Sequence, residues 1–137
     1  MTDYMLETVI LLLFLLSFSA FSSAVETAYF SLSRGQVRTM VRSRLAGARL
    51  VEKLKSDPRK FLITILTTNN LVNILIATLS TELALSLFGS RGVALATGFV
   101  TFFVLVFGEI VPKTIAQNHA GKVSRYSGPI ILILELI

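Results

Sequence analysis

The sequence predicts an all-α membrane protein with three membrane-spanning helices. Of its 137 residues, 53% are hydrophobic and 15% are charged, whereas about a quarter of the residues of an average soluble domain are charged. Three uncharged runs, at 8–25, 61–81 and 92–108, each come close to the ~20 residues that a spanning helix requires. We therefore expect spans at about 8–31, 61–88 and 92–113.

The first uncharged run has to be distinguished from a cleaved secretory signal. A signal begins with a basic region and carries an apolar core of about 7–15 residues. Here only the acidic residues Asp3 and Glu7 precede a longer run, and so we predict a retained helix. The chain contains no cysteine, which excludes disulfides, thiolate metal sites and cysteine nucleophiles.

The connection between the first two spans predicts the orientation of the chain. Nine of the thirteen Lys and Arg residues lie between 34 and 60, and short loops rich in basic residues stay in the cytoplasm. We expect a multi-pass protein of the plasma membrane with its N-terminus outside and its C-terminus in the cytoplasm.

The same connection has the pattern of an amphipathic helix. Between 35 and 55, apolar residues recur at spacings of three and four with basic residues between them, which predicts a juxtamembrane helix on the inner leaflet. A nucleic-acid-binding segment is the alternative, and it is disfavoured because both ends of the segment enter spans. Asp57 followed by Pro58 predicts the start of the next helix.

The C-terminal part resumes an apolar pattern. The run from Ile130 to Leu134 is too short to span a bilayer. Because the sequence stops at Ile137, inside a hydrophobic segment, we expect a further cytosolic region to follow.

Span one changes character halfway along. Val9–Leu16 is aliphatic and suits lipid, whereas small and hydroxylic residues dominate from Ser17 to Ala28 and suit close contact with other helices. Ser22, Ser23 and Glu26 are three and four residues apart, and so they share one face of the helix.

Spans two and three also carry polar groups that lipid would not tolerate. Span two contains three amides, Asn69, Asn70 and Asn73, and span three runs into Glu109, whose carboxylate costs roughly 2–4 kcal/mol in a bilayer unless it is paired. Pro112 lacks an N–H and clashes with the carbonyl four residues earlier, which belongs to Gly108. We therefore expect a freed backbone oxygen beside the Glu109 carboxylate.

The three polar clusters fall at similar depths. At 1.5 Å per residue and ~30 Å of hydrocarbon, counting from the entry of each span places all of them just on the cytoplasmic side of the bilayer centre. Hydroxyls, amides, a carbonyl and a carboxylate make an all-oxygen set, which favours a hard cation such as magnesium or calcium.

Each polar group also has a purely structural interpretation. The serines could bond to the backbone of their own helix, and the asparagines could join helices. Glu26 could pair with an arginine or lie among headgroups, Glu109 could pair with Lys113, and Gly108 with Pro112 could form a simple kink. The coincident depth favours one shared site. An intramembrane hydrolase is disfavoured because the spans lack a histidine or a carboxylate pair for proton transfer, and we predict no enzyme activity.

Three segments of the sequence resemble the transmembrane domain of the CorC/CNNM (cyclin M) family. They are FSSAVETAYFSLS at 21–33, NNLVNI at 69–74 and FGEIVPK at 107–113. The segments occur in the expected order, and the resemblance covers almost the whole chain.

The resemblance implies a fold and partners. Members are homodimers with three spanning helices and juxtamembrane belt helices, which would correspond here to about 35–55 and 120–137. Full-length members continue into cytosolic CBS modules that bind ATP, and these modules are absent from this sequence.

The resemblance also implies an activity and a site. Members are magnesium transporters, generally viewed as sodium-coupled exporters, and so it implies Mg²⁺ as the transported ion and Na⁺ as the coupling ion. A magnesium-sensing or scaffolding module that does not transport is the alternative function. The family's ion-binding positions correspond to Ser22, Ser23, Asn70, the Gly108 carbonyl and Glu109, with Asn69, Asn73 and Glu26 as neighbours or possible sodium ligands.

Overall fold

The computed structural model describes residues 2–136, and that part of the chain contains helices and turns but no strand. Three helical stretches are long and apolar enough to cross a membrane, at Asp3–Ser31, Pro58–Phe88 and Val93–Asn118, which confirms the predicted fold class and the number of spans. The helices are α1 (Thr2–Ser31), α2 (Arg34–Arg42), α3 (Ala48–Ser56), α4 (Pro58–Phe88), α5 (Val93–Phe103), a π-helical segment (Val104–Ile110), α6 (Val111–Asn118) and α7 (Ala120–Leu136).

Local sequence signals account for the helix starts on the linker side. The Ser33 hydroxyl accepts from the Gln36 N–H at 3.1 Å, and the Gln36 side chain accepts from the Ser33 N–H at 2.8 Å, forming a capping box before α2. The Asp57 carboxylate accepts from the Lys60 N–H at 3.2 Å. Asp57 and Pro58 therefore begin α4 as the sequence predicts.

The basic linker forms two helices, α2 and α3, where the sequence pattern predicts one. The chain turns between them through Arg44 and Gly47, whose φ angles are 55° and 80°. Gly47 also lies against α7, because a Cβ placed on it would be 2.7 Å from the Arg125 carbonyl oxygen. Glycine satisfies both the left-handed backbone and the close approach.

The apolar face of the linker packs against the spans. Val51 is fully buried, and the Tyr29 ring stacks on Phe61 with centroids 4.5 Å apart. The Tyr29 hydroxyl donates to the Ser124 carbonyl at 3.1 Å and so ties α1 to α7. We call this core the linker-side cluster; its buried members are Val25, Tyr29, Leu32, Val37, Met40, Ala48, Val51, Leu54, Phe61, Ile65 and Ile131.

A second, smaller apolar core lies nearer the N-terminus of α1. Leu15, Val72 and Ile76 are its buried members, and side chains of α1, α4 and span three surround them. We call it the far-side cluster; its partly buried members are Leu12, Phe18, Leu79, Val100 and Val104. Along α1, the buried residues Ser19, Ser22 and Ser23 lie between Leu15 of the far-side cluster and Val25 of the linker-side cluster.

Span three is the least buried of the three. In its most apolar stretch of 18 residues, only 6% of the residues are buried, whereas the corresponding value for span one is 33%. Gly98 has no atom of the described chain within 4 Å of a Cβ placed on it. Large aromatic side chains, including Phe99 and Phe102, are exposed on this span.

Candidate functional site

The three spans meet at one buried hydroxyl group, that of Ser19. Ser19 is 0% exposed, and its Oγ lies 3.0 Å from Asn73 Oδ1 and 3.4 Å from Asn69 Oδ1. Its single proton therefore serves two amide oxygens on α4. Asn69 and Asn73 thus join α1 to α4, which is the structural interpretation considered for them.

Gly108 brings span three to the same level. It is buried, and a Cβ placed on it would lie 3.3 Å from Ser19 Oγ and 3.4 Å from Leu16 Cδ1. That spacing is tight, so the absence of a side chain lets the backbone of span three approach α1. Asn69, Asn73 and Gly108 therefore gather around Ser19.

Ser19 is the residue whose position the sequence reasoning missed. The pattern predicted only that it faces other helices. Its spacing was the available signal, because Ser19 precedes Ser22 and Ser23 by three and four residues and thus lies on their face of α1.

Ser22 and Ser23 are buried without hydrogen-bond partners. They are 1% and 0% exposed, and within residues 2–136 no group is hydrogen-bonded to either Oγ. Ser17, by contrast, donates to the Leu13 carbonyl at 2.8 Å. A buried hydroxyl left unpaired costs about 1–3 kcal/mol, so both serines carry oxygens that are free to bind a further group. Within the described residues the Ser80 hydroxyl on α4 is buried and unpaired in the same way.

The backbone of span three is irregular where it approaches Ser19. Span three is continuous, and the predicted break at Gly108 and Pro112 takes the form of the π-helical segment, in which the Val111 N–H reaches the Val106 carbonyl five residues earlier. Residue 112 is the next donor position, and proline has no N–H to offer. Pro112 therefore cannot donate to the Phe107 carbonyl five residues earlier, as a residue in a π-helix would. It also cannot donate to the Gly108 carbonyl four residues earlier, as a residue in an α-helix would. π-Helical turns frequently occur at functional sites.

The remaining predicted site residues differ in their exposure. Glu109 and Glu26 are half-buried, and Asn70 is exposed on α4. Asn70 thus stands apart from the Ser19 contact that Asn69 and Asn73 form. Within the described residues there is no group of three or more His, Cys, Asp or Glu side chains that could hold a metal ion. A cation here would depend on neutral oxygens and few carboxylates.

This arrangement suits a hard cation better than a catalytic reaction. The hydroxyls of Ser22 and Ser23 have free lone pairs, and the Phe107 and Gly108 carbonyls receive no hydrogen bond from Pro112. On α1 the two serines lie between members of the two apolar clusters. Oxygen ligands of this kind are those that magnesium and calcium prefer.

Comparison with known proteins decides the family. Residues 10–137 match the model of the cyclin M (CNNM) transmembrane N-terminal domain. The chain belongs to this family. The CNNM match begins at Ile10, inside span one, and includes the rest of that span, both linker helices, and spans two and three.

Curated relatives of this CNNM domain occur in bacteria and plants. The chain is 43% identical to a UPF0053 protein of Haemophilus influenzae over 91% of its own length, and 41% identical to the UPF0053 inner membrane protein YfjD of Escherichia coli over 87%. It is 37% identical to a chloroplastic DUF21 domain-containing protein of Arabidopsis thaliana. The chain spans only 30%, 28% and 18% of the lengths of these three proteins.

Proposed function

We propose that this CNNM domain transports magnesium across the membrane, as a sodium-coupled exporter with one dehydrated Mg²⁺ site in each subunit. The observation that carries the proposal is the pair of buried hydroxyls, Ser22 and Ser23, that have no partner in the chain. Membership of the CNNM family supports it, because it agrees with divalent cation transport.

Dehydration of the ion is the difficult step. Magnesium demands a compact octahedral set of oxygens and gives up its waters reluctantly. Ser22, Ser23, Asn70 and the Gly108 carbonyl would replace water, and Glu109 would supply negative charge. Irregular backbone at membrane depth is tolerated where it lines a cavity, which fits the π-helical segment beside Gly108. Asn69, Asn73 and Glu26 are proposed as neighbours or sodium ligands.

The two apolar clusters suggest how the site is gated. In the proposed orientation, the far-side cluster lies between the site and the outside, and hydrocarbon side chains offer an ion no oxygen in place of water. Export therefore requires α1, α4 and span three to separate at Leu15, Val72 and Ile76. Sodium entering from outside is proposed to favour that rearrangement.

The exposure of Asn70 supports a homodimer. An amide in a spanning helix does not face lipid unless it is compensated, and Asn70 is exposed on the single chain. A second copy, or a water-filled cavity between two copies, would cover it.

A flux assay on the full-length protein in proteoliposomes tests the proposal. Glu109→Gln and Asn70→Ala should each lower sodium-driven magnesium flux by roughly tenfold or more, because each removes an oxygen ligand or its charge. Glu7→Gln is the control, because Glu7 is an exposed carboxylate at the far end of α1. Normal flux through both variants would remove these residues from the mechanism. Binding of magnesium without any flux in the unaltered protein would favour the sensing or scaffolding function.

A further inference from the structure

A cationic cleft lies where the linker helices meet the first turn of α4. It has a volume of about 510 Å³. Its walls combine three basic residues with one carboxylate and two apolar side chains. The lining residues include Arg34, Val37, Arg38, Glu52, Lys55 and Pro58.

Lys55 is held in place at the floor of this cleft. Its Nζ donates to the Tyr29 carbonyl, in the last turn of span one, at 2.6 Å, and also to the carbonyl of Leu32, the residue that follows the span. Burial, and then the positive charge of Arg34, lower the pKa of Lys55 from its ordinary value. The cations therefore repel one another, and an anion in the cleft would relieve that repulsion.

The position of the cleft limits the kind of anion. Span one ends at Ser31 and span two begins at Pro58, so the cleft lies level with the ends of both spans, at the depth of the lipid headgroups. Val37 and Pro58 add apolar surface next to the basic side chains. Basic pockets at this depth suit phosphate-bearing headgroups.

We propose that this cleft binds the headgroup of an anionic phospholipid from the leaflet next to the linker, with Arg34 and Arg38 contacting the phosphate. Lys55 would contribute charge from the floor, because its donors already serve backbone carbonyls. Glu52 would oppose the anion and limit its affinity. The proposal does not depend on what the spans transport.

Lipid binding by the 137-residue chain in a neutral detergent tests the assignment. The probes are short-chain phosphatidylglycerol, short-chain phosphatidylcholine and inorganic phosphate, with bound lipid counted by native mass spectrometry. We expect phosphatidylglycerol to bind about tenfold or more tightly than phosphatidylcholine. Inorganic phosphate at the same concentration should not displace it.

Three variants connect the binding to the cleft. Arg34→Gln with Arg38→Gln should abolish the preference for phosphatidylglycerol. Arg42→Gln with Lys53→Gln is the matched control, because it removes the same charge from exposed linker positions, one on α2 and one on α3, that do not line the cleft. Glu52→Gln should strengthen phosphatidylglycerol binding severalfold, and this gain cannot be attributed to a folding defect.

Three results would overturn the proposal. One is equal loss of binding in the two double variants. Another is unchanged or weaker binding after Glu52→Gln. The third is full displacement of the lipid by inorganic phosphate, which would assign the cleft to a soluble anion instead.

Discussion

The proposed magnesium site gives Ser22 and Ser23 opposite effects on the stability of the folded chain with and without the ion. Their hydroxyls are buried and unpaired, and so they destabilise the metal-free protein. The same atoms would stabilise the protein when they coordinate an ion. A residue that serves only packing would not show this reversal.

Replacement of either serine by alanine should therefore have two effects of opposite sign. Ser22→Ala and Ser23→Ala should each raise the free energy of unfolding of the magnesium-free chain by about 1–3 kcal/mol, because an unpaired hydroxyl is removed. Each should also reduce the increase in the melting temperature that magnesium produces. Thermal unfolding in detergent with and without magnesium measures both.

Ser124→Ala is the matched control for this reversal. Ser124 is fully buried as well, but its hydroxyl donates to the Gly121 carbonyl at 3.0 Å. Its replacement should not stabilise the metal-free chain, and the magnesium effect should stay unchanged. If Ser22→Ala and Ser23→Ala behave like Ser124→Ala, their hydroxyls are not ligands.

Gly108 gives a second prediction at the scale of single residues. Gly108→Ala places a methyl group 3.3 Å from Ser19 Oγ and 3.4 Å from Leu16 Cδ1, which should push span three away from α1. Overpacking of this kind costs about 1–3 kcal/mol. Thermal unfolding should show lower stability, and magnesium should stabilise the variant less.

Gly98→Ala is the control within the same span. A methyl group there meets nothing within 4 Å, and alanine favours a helix over glycine by roughly 0.5–1 kcal/mol. Its stability should therefore stay the same or rise. Equal losses from both substitutions would show that glycine matters in span three for a reason other than the contact with Ser19.

At the scale of elements, the turn between α2 and α3 fixes the linker to α7. Gly47→Ala should destabilise this arrangement, because the backbone there has a φ of 80° and the new methyl group would lie 2.7 Å from the Arg125 carbonyl oxygen. The left-handed conformation alone costs a non-glycine residue about 1–2 kcal/mol. Limited trypsin digestion should cut the basic linker faster in this variant.

Gly35→Ala is the comparison for the linker. Gly35 lies in α2, and the nearest atom to its added methyl group would be Ser33 Oγ at 3.9 Å, which is ordinary contact. The rate of digestion should stay unchanged or fall. Faster digestion of the Gly35 variant as well would mean that the approach to Arg125 does not set the stability of the linker.

The elements also show what sequence patterns resolve and what they leave open. Hydropathy predicted the three spans, because the cost of charge in lipid constrains every residue of such a helix. The sequence pattern predicted one helix for the linker, because the apolar spacing of three and four continues on both sides of the turn. Gly47 was the only sequence signal for the turn between α2 and α3. Pro112 predicted an irregular backbone, but the sequence did not say which form it would take. Both a kink and a π-helical turn accommodate a residue that has no N–H.

The sequence also predicted part of the packing around the candidate site. The burial of Ser22 and Ser23 agrees with their place in the half of span one that was predicted to face other helices. The sequence did not predict which asparagines contact α1. Asn69 and Asn70 differ by about 100° around the helix axis, and the sequence does not say which of these directions faces α1. Ser19 became visible only when α4 and span three were packed against it.

At the scale of the whole molecule, spans one and two are joined by the Ser19 hydrogen bonds and by both apolar clusters. Span three meets them at Gly108 and at the far-side cluster. This arrangement places the oxygens of the proposed site among apolar side chains, and it leaves span three with little of its surface buried. A loosely packed span beside a tight contact at Gly108 suits a helix that has to move during transport.

The most direct test of the account is an experimental structure of the chain with Mn²⁺, which takes the same oxygen ligands as Mg²⁺ and scatters anomalously. The account predicts one anomalous peak per chain between the three spans, with oxygens of Ser22, Ser23, Asn70, the Gly108 carbonyl and Glu109 at about the 2.1 Å expected for magnesium. Manganese bound only at the linker or at exposed carboxylates, with both serine hydroxyls still unpaired, would contradict it.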